Sequence, residues 1–480
     1  MLRLKDKNIL RLVYSFSRKK KVKLYLVGGV LRDLMLGRQK QNPDYDFCLK
    51  TGAIRFGRKL ARELKAGFVV LDQEHGACRL VRKAKDKVFT LDFTDFRGKT
   101  LEEDLQHRDF TINAMALELD AVFKSRDTEP FLIDPFCGRQ DLRRKFIKAP
   151  YRKAFLQDPL RILRCFSFSV LFGFKIDKGT LRLAVEAKKR LAQVSGERVR
   201  DELFRIFDTG LAFASFRKLD ELKILKVIFP EIEKMRGVNQ GPYHHLDVWQ
   251  HSLETLRQME ALFVELERSR DIQDYLEEVI SSERRRKSLM KLAALLHDIG
   301  KPNALRRKDG KIIFRGHERK GADISRVIIK RLKLSNDEMD ALLKMILWHL
   351  RPGYLGDQEE VTPRAAFRYF RDTASEAVST LLLSIADQRS TRGRLTTRQS
   401  RIQHERIVFG LVREYFRRKK QKPLVRLING HDLIKKFKLE PSPLIGKILS
   451  KIDELQAIGR IKNKRQAMEA AGRMVEKAYR

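Results

Sequence analysis

The stretch that decides the fold is LVGGVLRD at 26–33, which is followed shortly by PDYDF at 43–47. The first segment is typical of a strand that ends in a glycine turn and leads into a short helix closed by Gly37. Gly28 and Gly29 let the backbone approach a phosphate closely, and the helix N-terminus supplies free N–H donors. Because most Gly-Gly turns are only turns, this segment alone is weak support for a phosphate site.

Asp44 and Asp46 alternate along the strand that the second segment predicts, so both side chains point to the same side. Two carboxylates on one side repel each other unless a cation bridges them, and Mg²⁺ prefers such oxygen ligands. Two such ions can activate an attacking 3′-hydroxyl and stabilise a departing pyrophosphate. The alternative is a pair of polar turn residues beside Pro43. The glycine turn and Arg32, which adds a charge-assisted phosphate contact, favour the metal site.

A third segment, HRDFTINAMAL at 107–117, adds polar residues to an apolar sequence. Arg108 and Asp109 precede a segment that is predicted to be buried. Asp109 has the alternative role of capping the following helix. Asn113 lies inside the apolar segment, and a buried amide needs a partner, which a backbone group or a ribose hydroxyl would supply.

A fourth segment, FLQDPLRILRCFSFSVLFGF at 155–174, predicts a helix with Asp158 as its N-cap and Pro159 in its first position. Arg161 and Arg164 share one face of that helix, and the structural alternative is that both face solvent. A carboxylate accepts from an exocyclic amine, and a guanidinium donates to a ring nitrogen or carbonyl. Cytosine and adenine offer that pattern. An Asp/Arg pair would therefore accept CTP and ATP and reject UTP and GTP.

Together the segments resemble the class II (bacterial and eukaryotic type) family of tRNA nucleotidyltransferases and poly(A) polymerases. The resemblance covers about residues 20–210 and is carried by six motifs in series: LVGGVLRD, DYD, RDFTINAMA, DPFCGRQDL (134–142), DPLRILR and SGERVRDEL (195–203). It implies a polymerase-β-like head with a mixed sheet and helices, followed by a helical neck. It also implies roles for the site residues: Mg²⁺ ligands at Asp44 and Asp46, nucleotide contacts from Arg108 and Asp109, base recognition by Asp158 with Arg161, and Arg164 near the triphosphate.

Two positions depart from the family pattern. The family usually has Glu before the base-recognising Asp, where this chain has Gln157, and often has two arginines before Asp109, where His107 takes the first place. We expect the first change to affect how the base-recognising helix is held, and the second to affect triphosphate contacts. Asp92 and Asp95 lie on one predicted strand and are candidates for a third catalytic carboxylate. Ordinary charges at a strand edge are at least as good an explanation for both.

From about residue 151 onward the apolar periodicity predicts helices, and this part holds eight of the ten histidines. A single histidine at the end of an apolar helix is more often a core or capping residue. Here the residues form a series that resembles the HD phosphohydrolase pattern: His251, His297, Asp298, His317, His349 and Asp387. Such a series binds one or two divalent ions, here a transition metal or Mg²⁺, that polarise phosphate and activate water. The resemblance suggests phosphate trimming or opening of 2′,3′-cyclic phosphates at damaged RNA ends.

The chain carries 102 basic and 62 acidic residues, a net charge of +40, which indicates a polyanionic partner or an anionic membrane surface. Its apolar stretches are far shorter than the ~20 residues of a membrane span, and the N-terminus shows no signal-peptide pattern. Four scattered cysteines without a CxxC pair suit a reducing cytoplasm. We therefore predict a cytoplasmic protein that binds nucleic acid.

Residues 401–480 contain 21 basic and 8 acidic residues, which favours a polyanion-binding tail over a solvated basic face. INGHDL (428–433) and PSPLIGKIL (441–449) within it resemble the tRNA-contacting end of bacterial enzymes of this type. Three lysines would contact phosphates without reading sequence: Lys435, Lys436 and Lys438.

We therefore predict an α+β chain in which a polymerase-β-like head precedes a long all-α neck and body containing an HD domain. The predicted boundaries give a nucleotidyltransferase head (1–145), a helical nucleotide-selecting and RNA-binding neck (146–240), an HD metal-dependent domain (241–400) and a basic helical tRNA-binding tail (401–480). The predicted activity is template-independent addition of CMP and AMP, from CTP and ATP, to the 3′ end of tRNA. The added sequence is CCA, or only CC or A, and pyrophosphate is released.

Three alternatives stand beside this prediction. A poly(A) polymerase shares the head and neck, and a metal-dependent phosphohydrolase would use the head only to bind RNA. A non-enzymatic RNA-binding protein is the third. The intact carboxylate pair and HD series argue against it, because binding alone needs no acidic cluster facing a polyanion.

Overall fold

The computed structural model describes six segments of the chain: 7–38, 42–84, 87–125, 128–356, 360–421 and 425–479. The chain divides into two compact units, residues 1–206 and 207–480. The predicted boundaries near residues 145, 240 and 400 remain predictions.

A mixed sheet of seven strands organises the first unit. In chain order these are β1 (Tyr25–Val27), β2 (Asp44–Leu49), β3 (Gly67–Asp72), β4 (Ala77–Ala84), β5 (Lys87–Asp95), β6 (Ala116–Glu118) and β7 (Leu132–Ile133). Their spatial order is β3-β4-β5-β2-β1-β6-β7, in which β2 and β5 are parallel and the other neighbours antiparallel. A small parallel pair follows, formed by β8 (Phe146–Ile147) and β9 (Lys175–Ile176). The predicted mixed sheet is confirmed.

Helices surround this sheet and continue beyond it. They are α1 (Lys7–Lys19), α2 (Gly29–Met35), α3 (Ala53–Leu64), α4 (Leu101–Gln106), α5 (Leu119–Lys124), α6 (Gly138–Arg144), α7 (Ala154–Gln157), α8 (Arg161–Phe172), α9 (Lys178–Ala187) and α10 (Gly196–Phe207). Short 3₁₀ turns lie at Thr111–Asn113, Glu129–Phe131 and Lys188–Gln193.

Alternation along β2 separates the core from the carboxylates. Tyr45, Phe47 and Leu49 are buried in the main core of the first unit, to which α1 and α3 also contribute. The ring of Phe47 stacks on Phe93 of β5 with centroids 5.0 Å apart. Because successive strand residues point to opposite faces, Asp44 and Asp46 lie on the face that this core leaves open.

The start of α8 differs from the prediction. The helix begins at Arg161, and the residues before it form a tighter turn in which Arg161 N donates to Asp158 O. The Asp158 carboxylate accepts from the backbone amide of Leu160 at 3.2 Å. The predicted helix start at Asp158-Pro159 is therefore wrong by about one 3₁₀ turn, and the carboxylate stabilises that turn instead of capping the helix.

The second unit is mostly helical. Its helices are α11 (Ala212–Glu221), α12 (Leu225–Ile228), α13 (Val248–Glu265), α14 (Arg270–Leu276), α15 (Arg286–Leu296), α16 (Lys301–Ala304), α17 (His317–Arg331), α18 (Asn336–Trp348), α19 (Arg351–Gly356), α20 (Pro363–Thr373), α21 (Ala377–Ser390), α22 (Arg398–Lys419), α23 (Gly430–Phe437), α24 (Pro443–Ala457) and α25 (Lys464–Tyr479). Further 3₁₀ turns lie at Pro230–Met235 and Ala374–Glu376. Among the helices of the described residues, none combines the length and apolar character needed to cross a membrane.

Two hairpins interrupt the helical pattern of the second unit. They are formed by β10 (Val279–Ser281) with β11 (Arg284–Arg285), and by β12 (Arg306–Lys308) with β13 (Lys311–Ile313). Asp309 and Gly310 connect the second pair, and both have positive φ, at 49° and 69°. An Asp-Gly pair is the typical connection of a tight hairpin. This hairpin could therefore have been predicted from the sequence, although apolar periodicity alone does not indicate it.

The last three helices of the chain share a core of their own, which includes Leu433, Ile448 and Ile452. Within the second unit, a buried carboxylate joins α24 to α20. Glu454 is only 2% exposed, and its oxygens lie 2.8 Å from Nε of Arg364 and 2.8 Å from Nε of Arg368. The Lys451 ammonium adds a contact at 2.7 Å. Burial acts to raise the pKa of Glu454, but the hydrogen bonds from Arg368 and Lys451 outweigh it and lower the pKa to about 2.

We expect Glu454→Gln to lower the free energy of unfolding by about 1–3 kcal/mol near neutral pH, because it removes a carboxylate that accepts from charged donors. A depressed pKa means that this contribution is complete above the ordinary pKa of 4.5 and is lost as the pH falls toward about 2. Urea denaturation between pH 7 and pH 3 should show the difference from wild type shrinking at the acid end. Glu469→Gln, which alters an exposed residue of α25, is the control; an equal effect of both variants would contradict the assignment.

Candidate functional site

Three carboxylates meet on the open face of the first sheet. One oxygen from each of Asp44, Asp46 and Asp92 lies within 4.8 Å of the others. Parallel pairing places Asp46 of β2 directly opposite Asp92 of β5. The guanidinium of Arg79 donates to both oxygens of Asp92, at 2.8 and 2.7 Å. A partly exposed group of oxygen ligands of this kind fits a hard divalent cation such as Mg²⁺.

The two sequence candidates for a third carboxylate separate in the structure. Asp92 joins the group, whereas Asp95 accepts from the backbone amide of Ala53 at 2.7 Å, at the start of α3. Asp95 is therefore a structural residue. The sequence showed that both lie on one strand, but only the register with β2 identifies the one that faces Asp46.

Gly28 closes the site from the β1 side. Its φ is +76°, and a Cβ atom built there would lie 3.0 Å from Oδ2 of Asp46 and 3.1 Å from Nη1 of Arg108. A side chain would thus be strained by the backbone conformation and crowded by both neighbours. The glycine lets the end of β1 approach the carboxylate and the guanidinium at the same time.

A cleft of about 340 Å³, here called the head cleft, opens onto two of these carboxylates, Asp46 and Asp92. It brings together nine of the predicted residues: Gly28, Gly29, Asp46, Arg108, Asp109, Asn113, Asp158, Arg161 and Arg164. It also contains residues that the sequence analysis did not select: Asp92 (kept only as an alternative), Thr94, Arg97, Asp104 and Arg198. Motifs more than a hundred residues apart in the chain therefore line one cavity.

A hydrogen-bonded chain of polar residues forms one wall of the head cleft. Asp109 accepts from Asn113 Nδ2 at 2.8 Å and pairs with Nε of Arg164 at 2.9 Å. Burial acts to raise the pKa of Asp109, but Arg164 and Asn113 outweigh it and keep the pKa below its usual value. Arg32 does not line the cleft; it is buried and donates to Oδ1 of Asn113 at 2.7 Å. Arg32 thereby orients the Asn113 amide.

Arg161 and Asp158 face the cleft from α8 and the turn before it. Arg161 is buried, and its guanidinium donates to the backbone oxygens of Ala154 and His107. The solvent-facing alternative is therefore wrong for this arginine. Arg198 of α10 donates to Oδ2 of Asp158 at 2.9 Å. Arg198 belongs to the SGERVRDEL motif (195–203), but nothing in the sequence links this arginine to Asp158.

The two departures from the family pattern contact each other. The His107 imidazole Nδ1 lies 3.0 Å from Oε1 of Gln157, so its N–H donates to the side-chain carbonyl. The two residues immediately precede Arg108 and Asp158. The pair therefore ties together the two segments that supply a guanidinium and a carboxylate to the head cleft.

In the second unit, the six predicted HD residues converge into two groups. One consists of His251, His297 and Asp387, and the other of Asp298, His317 and His349, each with ligand atoms within 4.8 Å. Asp298 connects the groups, because its Oδ2 lies 3.1 Å from His297 Nε2 and its Oδ1 lies 3.2 Å from His317 Nε2. His251, His317 and Asp387 lie within α13, α17 and α21, respectively. His297 and His349 directly follow the last residues of α15 and α18.

Backbone carbonyls orient three of the rings. Nδ1 of His297, His317 and His349 lies 2.9, 2.8 and 2.6 Å from the backbone oxygen three residues earlier. Each Nδ1 is thus engaged by a carbonyl, which directs each Nε2 toward the cluster. Nε2 of His297 and both oxygens of Asp298 make no hydrogen bond of normal geometry in the described residues. Inward-facing imidazole nitrogens around a buried carboxylate fit divalent metal ions.

Two further residues lie beside the cluster without having been predicted. Lys301 Nζ lies 2.6 Å from Oδ2 of Asp298 and donates to Gln240 at 2.7 Å. Burial and the neighbouring Lys301 lower the pKa of His244 to about 3, so this imidazole is neutral at physiological pH. Its ring centroid lies 4.9 Å from that of His251. The sequence signal for Lys301 was its position three residues after Asp298, on the same helical turn.

Three family models match the chain. The Poly A polymerase head domain matches residues 24–148, the probable RNA and SrmB-binding site of polymerase A matches 173–235, and the HD domain matches 248–392. The head model covers the three carboxylates Asp44, Asp46 and Asp92, and the HD model covers the six HD residues. The base-recognition residues Asp158 and Arg161 lie between the head match and the RNA-binding match.

Curated relatives match over most of the chain. The A-adding tRNA nucleotidyltransferase of Deinococcus radiodurans is 29% identical over 446 residues, which cover 90% of this chain and 91% of the relative. The CC-adding tRNA nucleotidyltransferase of Thermus thermophilus is 29% identical over 441 residues, with 90% and 89% covered. The multifunctional CCA protein of Legionella pneumophila is 33% identical over 343 residues, with 68% and 75% covered.

The fold is also found among solved structures. The CCA-adding enzyme of Thermotoga maritima, in a complex with tRNA, superimposes with a TM-score of 0.64 at 22% identity. The match covers 99% of this chain and 97% of that one.

The position of Asp298 between the two groups predicts how metal binding responds to mutation. We expect Asp298→Ala to abolish divalent-ion binding by the cluster, and Asp387→Ala to remove only the ion held by the first group. Calorimetric titration with Mn²⁺ measures this in the full chain carrying Asp44→Asn and Asp46→Asn, so that the head contributes no ion. His431→Ala, outside the cluster on α23, is the control. Equal losses in the Asp298 and Asp387 variants would refute the bridging role.

Proposed function

Because the chain belongs to the class II family of tRNA nucleotidyltransferases and poly(A) polymerases, we propose that it adds CMP, AMP or both to the 3′ end of tRNA. CTP and ATP are the donors, and pyrophosphate is released. The observation that carries the proposal is one cleft in which Asp46 and Asp92 face Asp158 and Arg161. A transfer site and a base-recognition site are thus contiguous.

The acidic group supplies the transfer chemistry. Asp44, Asp46 and Asp92 would hold Mg²⁺ ions, which when bound polarise the donor phosphate and activate the 3′-hydroxyl. Arg108 and Arg164 lie along the same cleft, where guanidinium groups match the oxygens of a triphosphate. Each is paired with a carboxylate, Asp104 and Asp109 respectively, so its position is set before the nucleotide arrives.

Asp158 and Arg161 select the base. Two backbone carbonyls hold the Arg161 guanidinium and leave its other N–H groups free to donate to the ring nitrogen of cytosine or adenine. The Asp158 carboxylate accepts from the exocyclic amine of the same base. A uracil or guanine would place a carbonyl opposite this carboxylate, which leaves polar groups unpaired in a desolvated site.

The positive charge of the chain and the basic helices of its tail favour an RNA as the acceptor. The net charge of +40 and the basic helices of the tail suit a polyanion. Lys435 and Lys436 lie near the end of α23, and Lys438 follows it directly. We assign these three lysines to phosphate contacts. All four cysteines are free thiols, which supports the predicted reducing cytoplasm.

A second activity is proposed for the HD cluster. Six ligands, five of them buried, are arranged as for a binuclear centre, and divalent ions there would polarise a phosphate and activate water. Lys301, beside Asp298, provides positive charge for the phosphate group. We assign this site to phosphate removal or cyclic-phosphate opening at RNA 3′ ends.

The products distinguish the tRNA reaction from poly(A) synthesis. Transcripts of tRNA that end before C74, C75 or A76 (the conventional tRNA positions) should gain at most three nucleotides when CTP and ATP are both present. Sequencing of the extended 3′ ends shows whether CCA, CC or A is added. Relatives of A-adding and CC-adding activity match with the same 29% identity, so the proposal covers all three products. A long A-tail would establish poly(A) polymerase instead.

Paired substitutions separate the two sites. Asp44→Asn with Asp46→Asn should lower the rate of incorporation by at least about a hundredfold, since it removes charge that stabilises the transition state. Any phosphohydrolase activity should persist. His297→Ala with Asp298→Ala should have the opposite effect. Radiolabelled nucleotide incorporation and phosphate release measure the two activities; loss of both in a folded variant would contradict separate sites.

A further inference from the structure

A second cavity adjoins the head cleft and is used by none of the steps above. Its volume is about 690 Å³, within the range of roughly 300–1,000 Å³ that holds small ligands. It shares Arg97, Asp158 and Arg161 with the head cleft. Its outer wall comes from the β3–β4 hairpin, which contributes Leu71 and His75. We call it the hairpin cavity.

Strand register places this hairpin on the carboxylate face. Asp46, Asp92, Arg79 and Val69 are successive partners across β2, β5, β4 and β3, so they form one row on one face of the sheet. Adjacent strands lie about 4.8 Å apart, so the row spans roughly 14 Å. Leu71 is the unpaired residue of an irregularity in the β3–β4 pairing between Val70 and Asp72, and it lines the hairpin cavity.

This end of the row is apolar and accessible. Val69 is 56% exposed and Leu71 is 50% exposed, although both belong to the edge strand of the sheet. Leu71 lies in one cavity with guanidinium and carboxylate groups, and such a combination fits a ligand that has both an apolar face and charge. Apolar side chains of this kind pack against the face of a nucleobase, and this contact does not depend on which base is present.

Arg97 supplies the complementary charge. It lines both cavities, and its Nη1 donates to the backbone oxygen of His107 at 3.3 Å. No carboxylate of the described residues forms an ion pair with it. A guanidinium held by a backbone carbonyl and not neutralised by a carboxylate suits a phosphodiester oxygen.

We propose that the hairpin cavity binds the terminal nucleotide of the acceptor RNA, with Leu71 against the base and Arg97 on the adjacent phosphate. This inference rests on the proposed nucleotidyltransferase function. Asp158 and Arg161 border both cavities, so a base in the hairpin cavity lies next to the incoming base. The cavity lining includes none of the three transfer carboxylates, which favours the acceptor strand over the donor triphosphate.

The test compares KM values for the two substrates. Leu71→Ser should raise the KM for a tRNA acceptor-stem minihelix about tenfold, as expected when a base loses its stacking surface. The KM for CTP and ATP should stay within twofold. Leu71→Phe should keep the KM for RNA near the wild-type value. Val327→Ser is the control, because Val327 is equally exposed at 59% but lies on α17.

Two outcomes would overturn the inference. One is an unchanged KM for RNA in Leu71→Ser; the other is a rise confined to the KM for nucleotides, which would place the incoming base in the hairpin cavity. Absence of incorporation by the wild-type chain would instead refute the proposed function.

A crosslinking experiment on the wild-type chain avoids any effect of mutation on folding. A minihelix with 4-thiouridine at its 3′ end should crosslink to residues 67–77 on irradiation. Crosslinks that map only to other segments would reject the assignment.

Discussion

Repulsion between carboxylates is the constraint on which the first site depends. Asp44, Asp46 and Asp92 are brought within 4.8 Å of one another by parallel pairing of β2 with β5. Like charges at such distances are costly unless cations lie near them. Arg79 supplies permanent positive charge beside Asp92, and Mg²⁺ ions would add to the compensation. The same negative charges that repel one another without a cation would hold the metal ions that phosphoryl transfer requires.

The rest of the head cleft follows from fixing guanidinium groups around that acidic centre. Arg164, Arg108 and Arg161 are each held by a carboxylate or by backbone carbonyls, so the positive charge is positioned before any substrate binds. Preorganised charge of this kind needs little rearrangement during the reaction. The His107–Gln157 hydrogen bond adds a further fixed contact, since it links the segments that carry Arg108 and Asp158.

The HD cluster avoids repulsion between carboxylates in a different way. Imidazoles replace most of the carboxylates, and backbone carbonyls fix three of the rings with Nε2 toward the centre. His297 and Lys301 hold the pKa of Asp298 well below its usual range in spite of its burial. Asp298 is therefore ionised and shared between the two groups. A bridging carboxylate with nitrogen ligands on both sides suits a pair of softer divalent ions.

The sequence by itself determined the family, the mixed α+β architecture and the residues on which both sites are built, because these depend on local motifs and on alternation along single strands. It also identified Asp44 with Asp46 and the order of the HD residues. Only the tertiary structure distinguished Asp92 from Asp95 and showed that Arg32 donates to Asn113. It also showed that α8 starts at Arg161 and that Arg198 pairs with Asp158. Each of these depends on strand register or on contacts between distant segments, and local spacing carries no information about either.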